Sequence, residues 1–280
     1  MLITELETRL LKKLTPRLYN AVLQEISLRT GVLQEVRLRI YQHLAITIQG
    51  KSVQLDIVCN PEDLTQTLTR LCSNSLYSHS ETIREGYICV EDGIRVGVCG
   101  RAVTQDGKIT AIRDIHYLCI RIPHRFPGAA DDLFHCLADE KFRANALICG
   151  KPGSGKTTLL RELIVKFSEC EEPKRIAVID TRFELTGGLQ LRGMVDILHG
   201  YPRHSGILCA VRTLSPDYII CDEIMSDEDL KAVKVCIGSG VYICASVHGA
   251  VDEIIKANNG IGELAKYFSI CYDCRYSYAL

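Results

Sequence analysis

The stretch NALICGKPGSGKTTLLRELI, residues 145–164, constrains the chain more than any other. Its first third is apolar, its middle is glycine and small residues, and its last third has the composition of a helix. Within it Gly150, Lys151, Pro152, Gly153, Ser154, Gly155, Lys156 and Thr157 spell G-x-x-x-x-G-K-[ST]. An apolar strand before this pattern and a helix after it are the context in which it wraps a polyphosphate. The glycines let the backbone turn its N–H groups inward, and the helix start adds partial positive charge. Lys156 is placed to reach the β- and γ-phosphates, the Thr157 hydroxyl to ligate Mg²⁺, and Thr158 to extend the nucleotide-binding set.

A triphosphate site needs a second acidic element at the end of another buried strand, and PDYIICDEI supplies it. Asp222 is the candidate magnesium ligand. Glu223 is the candidate base that polarises an attacking water. Asp227, Glu228 and Asp229 read as a helix start. There is no N-K-x-D segment of the kind that reads guanine, which favours ATP with Mg²⁺ over GTP. A small-molecule kinase would carry an arginine-rich lid and no glutamate beside the magnesium aspartate.

Around this motif the chain divides in two. Before it, Leu2, Leu6, Leu10, Leu14, Leu18, Val22 and Ile26 recur at four-residue spacing, a helical period that Pro16 should break or kink. VLQEVRLRI, LAITIQG and KSVQLDIVCN alternate as half-buried strands do. PEDLTQTLTRLCSNSLYSH reads as a helix with Pro61 in its first turn. The run from Glu85 to Pro123 returns to strands, with Asp92-Gly93 and Asp106-Gly107 as hairpin turns. This predicts a smaller α+β N-terminal domain over 1–125, closed by a hinge near Arg125-Phe126-Pro127-Gly128. From 126 to 280 a helix, about Ala129 to Glu140, leads into short, solidly apolar strands that alternate with helices: NALICG, RIAVID, YIICDEI and VYICASV. Such strands are buried on both faces, so the second domain is expected to be α/β, a doubly wound P-loop NTPase with a parallel sheet.

The remaining composition narrows the function. Hydrophobic residues make up 47% of 280 and the formal charge is −1, so the chain can build large cores and neither half has the basic excess of a dedicated nucleic-acid binder. Glu5 and Glu7 stand where a signal peptide would be positive and then apolar, and no apolar run reaches the length of a membrane span. The expectation is a cytoplasmic protein that meets a membrane through partners. Most of the 14 cysteines lie within apolar runs and read as reduced core residues. Cys271 and Cys274 alone form a C-x-x-C, without a second pair to complete a zinc site.

Three further segments, in order, resemble the type II and type IV secretion ATPases: IAVIDTRFELTG in the place of their acidic Asp box, RTLSPDYIICDEI as their lead into the Walker B strand, and CASVHGA as their His box. GYICVEDGIRVGVCG, EVRLRI and an IRI near the hinge make the chain most similar to the stage III sporulation protein AA family. This resemblance implies a RecA-like ATPase domain. It also implies that Asp180 and Glu184 help position magnesium and water, and that His248 senses the γ-phosphate. It further implies a hexameric homo-oligomer at the mother-cell face of a membrane-bound channel to the forespore, working with membrane protein components. Two departures stand out. Secretion ATPases often have Gly-Glu where this chain has Cys221-Asp222-Glu223, and usually Glu where it has Asp180. In those enzymes arginines from the N-terminal domain complete the site; Arg113 and Arg121 are the candidates here. The rival reading is an assembly scaffold that binds nucleotide with little turnover, and the intact Glu223 argues against it.

Overall fold

Strand pairing sorts the chain into two sheets of opposite character. The computed structural model describes residues 5–73, 75–90, 94–256 and 260–274, and the chain divides into two units, 1–124 and 125–279.

In the first unit, α1 (Glu5–Leu11) and α2 (Pro16–Ser27) precede β1 (Leu33–Arg39), β2 (His43–Ile48) and β3 (Lys51–Val58). Then follow α3 (Pro61–Leu71), α4 (Ser80–Arg84), β4 (Tyr87–Val90), β5 (Ile94–Gln105) and β6 (Lys108–Arg121). The six strands form one sheet in the order β3-β2-β1-β6-β5-β4, every pairing antiparallel. The four-residue ladder works as the sequence suggests: Leu10, Leu14, Leu18, Val22 and Ile26 are all buried. Pro16 does not kink one long helix. It opens a second one at N1, where its missing N–H costs nothing. Leu2 and the Asp92-Gly93 turn lie outside the described residues. Asp106 and Gly107, with φ of 52° and 73°, join β5 to β6, both values in the left-handed region that the predicted hairpin turn requires.

α3 is shorter than its sequence suggests, because Ser73 turns left-handed two residues past Leu71. Its start is over-determined. The Asn60 side chain accepts from the Asp63 N–H and the Asp63 carboxylate accepts from the Asn60 N–H. The same carboxylate takes the Thr15 hydroxyl at 2.6 Å and Arg17 Nε at 2.9 Å, which staples α2 to α3.

The second unit runs α5 (Asp131–Asp139), β7 (Ala146–Gly150), α6 (Lys156–Ser168), β8 (Ile176–Asp180), β9 (Val195–His199), α7 (Arg203–Thr213) and β10 (Tyr218–Cys221). It continues with α8 (Asp227–Gly238), β11 (Tyr242–His248), α9 (Val251–Lys256), α10 (Gly260–Ala265) and β12 (Ile270–Asp273). Its sheet has the order β12-β7-β11-β10-β8-β9, all parallel. Alternate side chains of the central strands enter two different cores. Ile148, Val178, Ile220 and Cys244 pack with residues of α5 and α6. Cys149, Ile179, Cys221 and Ala245 pack with residues of α7, α8, α9 and α10. Helices therefore cover both faces, which is why these strands are apolar without a break. Ser226 and Asp229 form a capping box at α8, so the acids at 227–229 are a helix start. β9 and β12, at the two edges, are elements the sequence does not announce.

Candidate nucleotide site

The register of the parallel sheet brings the distant motifs to one edge. His248 at the end of β11 pairs with Gly150 at the end of β7. Cys221, immediately before Asp222, pairs with Ala245 on one side and Ile179, immediately before Asp180, on the other. All four segments thus end at the carboxyl edge of the sheet, where ligands bind in open α/β folds.

The loop has the backbone a phosphate cradle needs. Gly153 and Gly155 have φ of 75° and 92°, and Gly155 is the N-cap of α6. A Cβ at Gly150 would lie 2.3 Å from Ser154 Oγ and 3.2 Å from the Cys274 carbonyl oxygen. Lys151, Pro152 and Gly153 are exposed, while Ser154, Gly155, Thr157 and Thr158 are half-buried. Lys156 is 5% exposed. Its Nζ donates to the carbonyls of Gly150 and Lys151, both at 2.9 Å, and lies 3.3 Å from His248 Nδ1. Because an ammonium only donates, Nδ1 is the acceptor. The ring's proton is then on Nε2, which sits 3.0 Å from Glu223 Oε1. Lys156, His248 and Glu223 therefore form one polar chain.

Asp222 is shared. One oxygen accepts from the Thr157 hydroxyl at 3.0 Å and the other from the Ser246 hydroxyl. Ser246 also takes the Glu223 N–H on its Oγ at 2.9 Å and the Ile224 N–H on its carbonyl at 2.9 Å. These two bonds hold Glu223 in the left-handed region, φ 46°, a conformation kept only where neighbours enforce it. Arg182 Nη1 is 3.7 Å from the other Glu223 oxygen.

Asp180 behaves differently from Asp222. It is 1% exposed, and both its oxygens are engaged within its own loop. It accepts from the N–H groups of Glu184 (2.9 Å), Leu185 (3.2 Å) and Thr186 (2.9 Å), and from the Thr186 hydroxyl at 2.7 Å. From the opposite side the buried Arg161 guanidinium donates to the carbonyls of Glu184 (2.9 Å), Leu185 (3.1 Å) and Gly187 (2.6 Å). Burial pulls the Arg161 pKa below its ordinary value, with the Asp180 and Glu162 charges opposing. The loop 180–187 is thus clamped at its N–H side by one carboxylate and at its carbonyl side by one arginine. Glu184 rides on it, half-buried. The loop meets Asp222, Glu223 and Arg203 around a cavity of about 20 Å³.

The residues present fit a magnesium nucleotide. Ser154 Oγ in the loop and Thr181 Oγ1 beside Asp180 are buried polar atoms with no protein partner. Thr157 and Asp222, a hydroxyl and a carboxylate, are hard oxygen donors already within reach of each other.

Several contacts of the candidate site carry no motif. Ser246 is a fully buried serine inside the apolar run ICASV, and a lone polar residue in such a strand is its only signal. Arg161 and Glu162 are both buried in α6; Glu162 accepts Arg125 Nε and Nη2, each at 3.1 Å, and the Phe126 N–H. Cys274 Sγ lies 2.9 Å from the Ser154 carbonyl, against the outside of the loop, and burial raises its pKa. Cys271 packs in the core of the α7–α10 face and Cys274 in that of the α5–α6 face, so the C-x-x-C does not bring its two thiols together. Within the first unit, Arg113 is exposed on β6 and Arg121 Nε lies 3.7 Å from Glu35.

With this geometry in view, the family described as "Sporulation stage III, protein AA" matches residues 6–273. The chain belongs to this family. The stage III sporulation protein AA of Bacillus subtilis (strain 168) is 33% identical over 234 residues, 80% of this chain and 76% of that protein. The protein SEEDLING PLASTID DEVELOPMENT 1 of Arabidopsis thaliana is 33% identical over 118 residues, 39% of this chain and 17% of that one. Among solved structures, the Legionella pneumophila ATPase DotB superposes with a TM-score of 0.59 at 15% identity, covering 85% of this chain and 71% of that one. The pilus retraction motor PilT, solved with bound ADP, gives 0.57 at 16% identity, covering 87% and 72%. The sporulation family member thus has the RecA-like α/β fold of the ATPase DotB and the motor PilT. No described helix is long and apolar enough to cross a membrane.

Proposed function

We propose that this sporulation family member binds Mg-ATP at the carboxyl edge of its parallel sheet and hydrolyses it. The observation that carries this reading is the polar chain from Lys156 through His248 to Glu223, next to an Asp222 shared by Thr157 and Ser246. Gly150, Lys151, Pro152, Gly153, Ser154, Gly155 and Thr158 supply the cradle, and Lys156 its cation. Thr157 and Asp222 hold the magnesium, which neutralises charge on the phosphates when bound. Glu223, fixed by Ser246, orients a water and takes its proton. His248 ties that carboxylate to Lys156, so a change of charge beside the lysine is felt at the base. Asp180 acts through the loop it clamps, and Glu184 is carried toward the site by that loop.

By extension from the family and the fold, the working unit is a ring of six chains. It would act in the mother-cell cytoplasm on membrane components of a channel to the forespore, converting hydrolysis into movement or assembly. A scaffold with little turnover would have no use for Glu223 and its Ser246 support.

Steady-state phosphate release tests the enzymatic claim. The Lys156→Ala variant should lose turnover to the assay's background. Turnover equal to the parent's would reject the site.

A further inference from the structure

A second cavity of the C-terminal unit lies away from the nucleotide edge. This cleft, of about 870 Å³, opens at the amino ends of the strands, a volume in the range of ordinary ligand sites. It is lined by the segments that lead into β7, β8, β10 and β11. Those strands carry Gly150, Asp180, Asp222 and His248 at or just past their other ends, so cleft and nucleotide site stand on opposite edges of one sheet, roughly 16 Å apart along five-residue β8.

The lining is cationic. Lys141, Arg143, Lys174 and Arg175 face Glu172 and Asp217. Both acids are already engaged: Asp217 is gripped by Arg175 (Nη2 to Oδ1 2.7 Å, Nε to Oδ2 3.3 Å), and Glu172 meets Lys174 Nζ at 3.3 Å. Lys141 and Arg143 are exposed and have no ion-pair partner among the described residues. Half-buried Phe142 and Tyr242 add apolar surface between these charges. The rim is also held in unusual backbone: Lys141, Phe142 and Ser215 have φ of 53°, 54° and 46°. Non-glycine residues in that region cluster where a site is being shaped.

We propose that this cleft is a docking site for an acidic segment of a partner protein. Carboxylates would pair with Lys141 and Arg143, and an intervening apolar side chain would lie on Phe142 and Tyr242. The cations come from two of the four lining segments, with the unpaired Lys141 and Arg143 on the one before β7 and the paired Lys174 and Arg175 before β8, and a cleft of about 870 Å³ is far larger than one small anion. That arrangement suits an extended chain better than a single small anion. A segment bound here would touch the starts of the strands whose ends carry Asp180, Asp222 and His248, which gives a partner a place to act without covering the nucleotide.

The test uses the full chain and a fluorescent decapeptide of alternating Asp, Glu and Leu, with its Asn/Gln counterpart as the uncharged probe. The acidic peptide should bind, weaken as salt rises, and stay bound when Mg-ATP is added; the uncharged one should not bind. Charge reversal in the Lys141→Glu/Arg143→Glu pair should weaken binding by about tenfold, whereas Lys108→Glu, at the first residue of β6 in the first unit, should leave it unchanged. Should the reversal pair fail to fold, Lys141→Gln/Arg143→Gln keeps the shape of the trough and should weaken binding in the same direction. Unaltered binding by a folded variant, displacement by Mg-ATP, or release by equimolar pyrophosphate would each overturn the proposal. The readout does not depend on turnover, so it stands or falls apart from the ATPase reading.

Discussion

His248 Nε2 lies 3.0 Å from Glu223 Oε1, while the other nitrogen of the same ring is 3.3 Å from Lys156 Nζ. A ring that accepts from the loop lysine and donates to the candidate base makes the position of Glu223 depend on what the lysine is bonded to. Replacing His248 with Gln, which cannot bridge both partners with the same geometry, should leave Mg-ATP affinity within about threefold. It should reduce turnover about tenfold to a hundredfold, less than the loss of the group that itself takes the proton, typically a hundredfold or more. Nucleotide titration alongside steady-state phosphate release separates the two effects. Unchanged turnover would remove His248 from the mechanism.

The loop 180–187 is held by Asp180 on one side and Arg161 on the other. Asp180→Asn keeps one acceptor where the carboxylate serves four donors, and Arg161→Met strands three carbonyls. Each should cost about 2–4 kcal/mol in urea unfolding of the second unit. Because both act on one loop, the double variant should lose less than the sum. Full additivity would show that the two ends of the loop are independent.

Asp63 gives the first unit an acid-sensitive joint. Burial pushes its carboxyl up, but Arg17, the Asn60 N–H and the Thr15 hydroxyl together outweigh that and hold it below its ordinary value of 3.8. A depressed folded value means that the contribution is complete above the ordinary pKa and fades as pH falls through the lower folded one. Asp63→Asn should therefore be less stable than the parent by about 1–3 kcal/mol at pH 7. The gap should narrow from about pH 4 downward. A gap constant from pH 7 to pH 2 would mean that the charge is irrelevant.

Thiol reactivity should follow burial. Burial drives Cys149, Cys221 and Cys236 to about 12 and raises Cys244 further, so these carry almost no thiolate at neutral pH. Cys99 and Cys136 are exposed. Iodoacetamide followed by peptide mass mapping should label these two first and the four buried thiols only after unfolding. Rapid labelling of Cys149 in the folded chain would mean that β7 opens readily.

The sequence and the structure agree most closely where physics acts locally. A glycine loop between an apolar strand and a helix has one reading, and the leucine ladder of α1 and α2 has one buried face. Asp222 and Glu223 are legible because two adjacent acids at the end of the apolar YIIC would repel each other and lose hydration unless a cation or a proton came to them. What is not legible is who holds them. Ser246 reaches Asp222 and Glu223 only through the parallel register of β10 and β11. Arg161 finds its three carbonyls only once the loop after β8 has folded over α6. β9 escapes notice because an exposed edge strand, VDILH, shows neither an unbroken apolar run nor strict alternation. β12 is only four residues long. Asp180 matches an acidic motif by position, yet its surroundings make it the keystone of a turn, a distinction no spacing conveys.

The most direct test of the proposed chemistry is single-turnover release of phosphate from Mg-ATP by the Glu223→Gln variant. The substitution keeps the shape and the left-handed backbone held by Ser246 while removing the base. The variant should bind Mg-ATP as the parent does and release phosphate at least about a hundredfold more slowly. Release at the parent's rate would contradict the role given to Glu223 and, with it, the chemistry proposed for the site.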